Sequence, residues 1–166
     1  MIPRHRFRRL HFVGVGGSGM APLAAWFAAR GFAVSGSDRA ESANLAWLRD
    51  AGLEVRVGHK AHHVEDADLV IRTSAVGTEN VEIARAIELG IPVVRRAEAL
   101  GEVTREGHSL CIAGTHGKTT TTLMIARILR CAGLRPSVLP GGVPSNPEDE
   151  PDRSRHQHRC QLHLMN

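Results

Sequence analysis

The run Gly114-Thr115-His116-Gly117-Lys118-Thr119-Thr120 has the residue types and spacing to hold a phosphate chain. Glycines let a backbone curl until successive N–H groups face one anion. A helix starting at the turn adds about half a positive charge at its N-terminus. Lys118, directly after the second glycine, is placed to meet the β- and γ-phosphates as a point charge, and the Thr119 hydroxyl to ligate Mg²⁺. The strict pattern has a glycine where Ile112 stands, so the match is to the shorter G-x-x-G-K-T. A glycine turn capped by threonine, with Lys118 merely solvated, is the competing account.

A second constellation lies near the N-terminus. Gly14-Val15-Gly16-Gly17-Ser18-Gly19 satisfies G-x-G-x-x-G, and Met20 follows it. Glycines at this spacing let a diphosphate approach the backbone at a helix N-terminus. An acidic residue about 20 positions on meets a ribose or base. Ser37-Asp38 stands at that interval. Tight strand–helix packing without a ligand would use the same glycines, and Asp38 could equally cap a following helix. Thr73, Ser74 and Ala75 follow a buried apolar run and are candidate contacts, because open α/β sheets place ligands at the carboxyl ends of their strands. Arg95 and Arg96 could hold a phosphate or carboxylate, or be solvated charges. His59, His62 and His63 cluster, but no cysteine or carboxylate stands at an interval that completes a metal site, so they read as polar loop residues.

The elements that must position these groups alternate. Strands are expected at Leu10–Val15, Phe32–Gly36, around Val55 and Val57, at Asp68–Ile71, at Ile91–Val94 and at Leu110–Ala113. Helices are expected from Met20 to Arg30, around Leu45, Leu48 and Ala51, from Asn80 to Leu89 with Ile83, Ala84 and Ile87 on one face, from Arg95 to about Thr104, and from Thr119 to Arg130. Alternation of this kind predicts an α/β protein: a Rossmann-like parallel-sheet domain over residues 1–104, then the beginning of a P-loop domain over 105–142. From Pro136 onward, five prolines interrupt any regular pattern, and residues 143–166 read as an irregular tail without a stable fold.

Composition narrows the class. Hydrophobic residues make up 42% of the 166, enough for a packed core, while aromatics at 4% leave the core to Ala, Val, Leu and Ile. Three scattered cysteines form no spaced pair, the pattern of reduced thiols in a cytoplasmic protein. No apolar run approaches the length of a membrane span. The net charge of +4 collects at the two ends, and with so few aromatics there is no stacking platform for nucleic acid. Neither a membrane nor a nucleic-acid partner is expected.

The segments His11 to Met20, Ser35-Gly36-Ser37-Asp38, Thr73-Ser74-Ala75-Val76, Pro92 to Glu98 and Ala113 to Thr122 resemble, in this order, those of the Mur ligases. The resemblance covers residues 10 to about 142. It implies a three-domain enzyme whose first domain binds UDP-N-acetylmuramate, whose second binds ATP with Mg²⁺, and whose third receives an amino acid. The wording Gly16-Gly17-Ser18-Gly19-Met20 points to the branch that takes L-alanine. The implied chemistry is an acyl phosphate made from the sugar's carboxylate and ATP, then an amide, in peptidoglycan precursor synthesis. Carried over by position, Gly14 and Gly16 to Met20 face the diphosphate, Ser37 and Asp38 the uridine side, and Thr73 to Ala75 the same cleft, with Arg95 beside it. Gly114 to Thr120 receive ATP, Lys118 steadies the transferring phosphoryl group, and Thr119 holds Mg²⁺. The chain stops before the remaining parts of such an enzyme, so an inactive, truncated chain that still binds the nucleotide sugar is expected. Two rivals stay open: a dinucleotide-binding oxidoreductase domain, supported by Gly14 to Gly19 with Asp38, and a non-catalytic nucleotide-binding remnant.

Overall fold

The computed structural model describes residues 6–105, 108–139 and 160–164, which form two compact units, 1–102 and 103–166. The first is a five-stranded parallel sheet ordered β3-β2-β1-β4-β5. Its strands are β1 (Arg9–Val13), β2 (Ala33–Asp38), β3 (Glu54–Val57), β4 (Leu69–Arg72) and β5 (Val93–Arg95). Helices α1 (Ala21–Ala29), α2 (Ala43–Asp50) and α3 (Val81–Glu88) and a 3₁₀ turn (Ala61–Val64) connect them. Helix α4 (Arg96–Thr104) follows β5 and runs across the division between the units.

β1 is central, and its alternation sorts the core. Phe12 tilts against Phe27 of α1, which in turn meets Trp26 and Phe32 edge-on. Val13 points to the opposite face, where Val64, Val70, Ile83 and Ala86 close a fully buried cluster. Helix α3 turns Glu82, Ile83 and Ala86 inward and leaves Ile87 57% exposed, so its buried stripe is rotated from the expected Ile83-Ala84-Ile87 face. A charged residue on the buried stripe is the feature that periodicity counted on apolar residues alone passes over.

The second unit contains β6 (His108–Ile112), α5 (Lys118–Cys131), β7 (Pro136–Leu139) and β8 (Cys160–Leu164), with the parallel order β6-β8-β7. Two expectations are corrected here. Pro136 opens a strand rather than ending regular structure, because a first strand residue needs no N–H for the ladder. Residues 160–164 of the expected irregular tail form β8, paired to β6 and β7; the rest of that tail lies outside the described residues. The core of this unit is small: Ala126 and Val138, with Ile125 and Leu129 packed against them. Met124 and Ile128 of α5 remain 62% and 65% exposed. Cys111 and Cys131 are exposed free thiols. No helix among the described residues is long and apolar enough to cross a membrane.

Candidate functional site

In the first unit the strand order reverses between β1 and β4, the place where open α/β sheets leave a crevice at their carboxyl ends. The glycine turn leaves β1 at this point and Thr73-Ser74-Ala75 leaves β4 beside it. Gly14 has φ +80°, and a Cβ there would stand 2.5 Å from the Thr73 methyl, so the two loops touch through a position only glycine suits. Thr73 N–H donates to Val13 O, while Ser74 and Ala75 are exposed.

The turn satisfies most of its own amides. Gly14 and Val15 N–H both donate to Ser37 O, at 2.8 and 3.0 Å. Gly16 N–H donates to Asp38 Oδ2 at 2.8 Å, and Gly16 O accepts from Asn44 Nδ2. Gly17 N–H returns to Gly14 O, and Met20 N–H to Gly17 O. Gly19 N–H has no acceptor among the described residues. A Cβ on Gly19 would lie 2.7 Å from Arg96 Nη1, so a guanidinium sits against this glycine at the start of α1. The expected cradle of convergent amides from Gly14 to Met20 is therefore narrower. The Gly19 amide and the Arg96 guanidinium adjoin at the N-terminal end of α1, and Ser18 is exposed beside them.

Three expected contacts fall elsewhere. The Met20 side chain is buried, because it opens the apolar face of α1. Ser37 is fully buried: Ser35 and Ser37 alternate onto the face of the sheet that meets α3, so the Ser37 hydroxyl donates to Glu82 instead of opening to the crevice. Arg95 is exposed, and it is the neighbouring Arg96 whose guanidinium reaches Gly19. Asp38 does lie at the turn, with one carboxylate oxygen engaged by Gly16 N–H. His59 and His63 meet the buried carboxylate of Glu82, which α3 supplies from beyond the sequence interval that was searched. Asn44 had no signal in the sequence apart from its place in the helix after Asp38.

In the second unit β6 ends at Ile112 and α5 begins at Lys118. Gly117 caps the helix at φ +74° and ψ 0°, the left-handed conformation that turns the chain from strand into helix. Thr121 N–H takes Gly117 O, and Thr122 Oγ1 takes Lys118 O. The N–H groups of Thr115, His116 and Gly117 have no acceptor among the described residues, and those of Lys118, Thr119 and Thr120 lie in the first helical turn, where none is available within the helix. Lys118 Nζ folds back to Gly114 O at 2.6 Å and Thr115 O at 3.3 Å, spanning the loop from within. This corner fits a polyphosphate: open amides, a helix start and an ammonium adjoin one exposed turn. Among the described residues no group of three or more His, Cys, Asp or Glu is placed to hold a metal, and the Thr119 side chain stands at the helix start as the residue that would meet a nucleotide-bound Mg²⁺.

Comparison with known proteins places the chain in a family. Residues 9–108 match the family described as Mur ligase family, catalytic domain. UDP-N-acetylmuramate–L-alanine ligase of Rhodospirillum rubrum is 48% identical over 134 residues, 81% of this chain and 28% of that protein. The crystal structure of UDP-N-acetylmuramate-alanine ligase from Thermotoga maritima superposes with a TM-score of 0.84 at 33% identity, covering 94% of this chain and 37% of that one. The UDP-N-acetylmuramate:L-alanyl-gamma-D-glutamyl-meso-diaminopimelate ligase from Neisseria meningitides gives a TM-score of 0.79 at 30% identity over 95% of this chain and 52% of that one. The chain thus spans about a third of the length of its L-alanine-ligase relatives. With a family match over residues 9–108 and a structural likeness covering 94% of its length, the chain belongs to the Mur ligase family.

Proposed function

We propose that this chain carries the sugar-nucleotide seat and the phosphate turn of a ligase that joins L-alanine to the carboxylate of UDP-N-acetylmuramate in the cytoplasm. The observation that supports this most is the Arg96 guanidinium lying against Gly19 at the start of α1, on a framework 48% identical to an L-alanine ligase. A diphosphate carries two charges on a short bridge, and an arginine fork with a helix N-terminus matches that shape. Asp38, held by Gly16 N–H, keeps its second oxygen for a ribose or base donor on the neighbouring side.

At the other corner, bound ATP with Mg²⁺ would supply the phosphoryl group that activates the sugar's carboxylate. The chain's own part is positional. Lys118 leaves its loop carbonyls for the terminal phosphates, Thr115 to Thr120 offer their amides, and the Thr119 hydroxyl orients the metal. His116 is exposed in the turn and adds a ring beside the phosphates. Calorimetric titration of the 166-residue chain with UDP-N-acetylmuramate tests the first seat. Saturable micromolar binding, weakened by Arg96→Ala, is expected; binding that ignores Arg96 would overturn the assignment.

A further inference from the structure

Beneath the glycine turn lies a buried ionic cluster that phosphate recognition does not use. The Glu82 carboxylate is fully buried. It accepts from the Ser37 hydroxyl, from His63 Nδ1 at 2.7 Å, from His59 Nδ1 at 3.0 Å and from Lys60 N–H at 3.3 Å. His11, also fully buried, holds Ser35 Oγ through Nδ1 and aims Nε2 at Glu82 Oε2 from 3.7 Å, with no hydrogen-bond partner for that nitrogen. β1, β2 and the 3₁₀ turn thus each send one group, and the loop after β3 two, to a single carboxylate from α3. Arg56 of β3 and His62 of the 3₁₀ turn add positive potential around His63. Ser37 links this cluster to the turn above: its hydroxyl meets Glu82 while its carbonyl holds the amides of Gly14 and Val15.

We propose that Glu82 is a positioning residue for the glycine turn, transmitting proton uptake by the buried cluster around it through Ser37 to the Gly14 and Val15 amides, so that sugar-nucleotide binding weakens below neutral pH. The physical basis is charge balance in a closed space. One buried carboxylate compensates one imidazolium; a second proton entering beside His11 and Arg56 is uncompensated. The cluster relieves that charge by separating its members, and the Ser37 end of β2 is the part tied to the turn. His59, whose side chain is 18% exposed, is the cluster member that reaches solvent.

The ligand in this proposal comes from the proposed function, whereas the coupling is read in the unliganded protein. The experiment is a series of amide correlation spectra of the full chain from about pH 8 to pH 5.5, the range in which imidazoles titrate. The Gly14 and Val15 resonances are expected to move together over this range, in step with the His63 ring. Affinity for UDP-N-acetylmuramate is expected to fall about tenfold over the same range, the equivalent of one charge-assisted hydrogen bond. Glu82→Gln, checked for fold by circular dichroism, abolishes the amide movement; should it fail to fold, His59→Asn is expected to reduce it. Stationary Gly14 and Val15 resonances while the rings titrate would overturn the proposal, as would unaltered amide movement in a folded variant. Amides that titrate in a protein that binds no sugar nucleotide at any pH would contradict the proposed function and leave the coupling standing.

Discussion

Replacing Gly19 with alanine separates what the turn does for binding from what it does for folding. Gly19 is not among the glycines with positive φ, so alanine imposes no backbone strain. The new Cβ would stand 2.7 Å from Arg96 Nη1 and 3.2 Å from its Cζ. Carbon contacts settle near ~3.5–4.0 Å, so the guanidinium must retreat by about 1 Å. The side chain is long and half-exposed, so its retreat is cheap, and the unfolding midpoint should stay within about 0.5 kcal/mol of the parent. Binding is another matter. A guanidinium–phosphate hydrogen bond contributes about 1.5–3 kcal/mol, so losing its alignment weakens UDP-N-acetylmuramate about ten- to a hundredfold. Calorimetry on Gly19→Ala, Arg96→Ala and the double variant forms a closed cycle. If Gly19→Ala acts by displacing Arg96, the double variant binds no worse than Arg96→Ala alone. Strictly additive losses would refute the reasoning, because they would show that the methyl group and the guanidinium act at separate places.

Gly36→Ala should behave oppositely: its Cβ would meet Phe12 O and Val15 Cβ at 2.9 Å inside the sheet, and overpacking there costs about 1–3 kcal/mol, read as a lower urea midpoint. Acid should unfold the first unit in two windows. Burial pushes the Glu82 carboxyl up, but the His11, Ser37 and His63 contacts outweigh it and hold it down at about 2 against 4.5 unfolded. That stabilisation, about 3 kcal/mol, is complete above pH 4.5 and lost as the pH falls towards 2. Burial also lowers His63 from 6.5, so the unfolded chain takes up that proton first and stability begins to fall below pH 6.5. Chemical unfolding at successive pH values reads both windows, and Glu82→Gln should remove the lower one. Lys118→Ala should weaken ATP binding about tenfold or more without moving the unfolding midpoint, since among the described residues the Lys118 ammonium bonds the carbonyls of its own exposed loop; fluorescence titration with a labelled ATP analogue measures this.

The parallel sheet was legible because β1 and β3 run into glycines and each helix between two strands has its own stop. Gly31, Gly52 and Gly90 all adopt positive φ where the pattern breaks. Gly114 and Gly117 were likewise readable as a turn, because lysine and threonine follow them. What the chain order concealed was convergence. Glu82 sits one residue from Ile83 on a helix that counts as amphipathic, and its meeting with His11, His59 and His63 depends on strand order, not on spacing. Ser37 looked like a ligand contact by its neighbour Asp38, but the period-2 alternation of β2 turns it the other way. Arg95 and Arg96 are equal in composition; the start of α4 decides which one reaches Gly19. β8 was invisible because a proline-rich stretch separates it from both of its pairing partners.

The central claim is that the Gly19–Arg96 corner is a seat for a sugar nucleotide's diphosphate. Amide and arginine side-chain chemical shifts, followed as UDP-N-acetylmuramate and, separately, NADH are added to the 166-residue chain, test it most directly. The account predicts that the Gly19 N–H and the Arg96 guanidinium shift first and saturate with the sugar nucleotide, while NADH leaves them in place. Saturation of the same resonances by NADH, or sugar-nucleotide shifts confined to residues away from this corner, would contradict it.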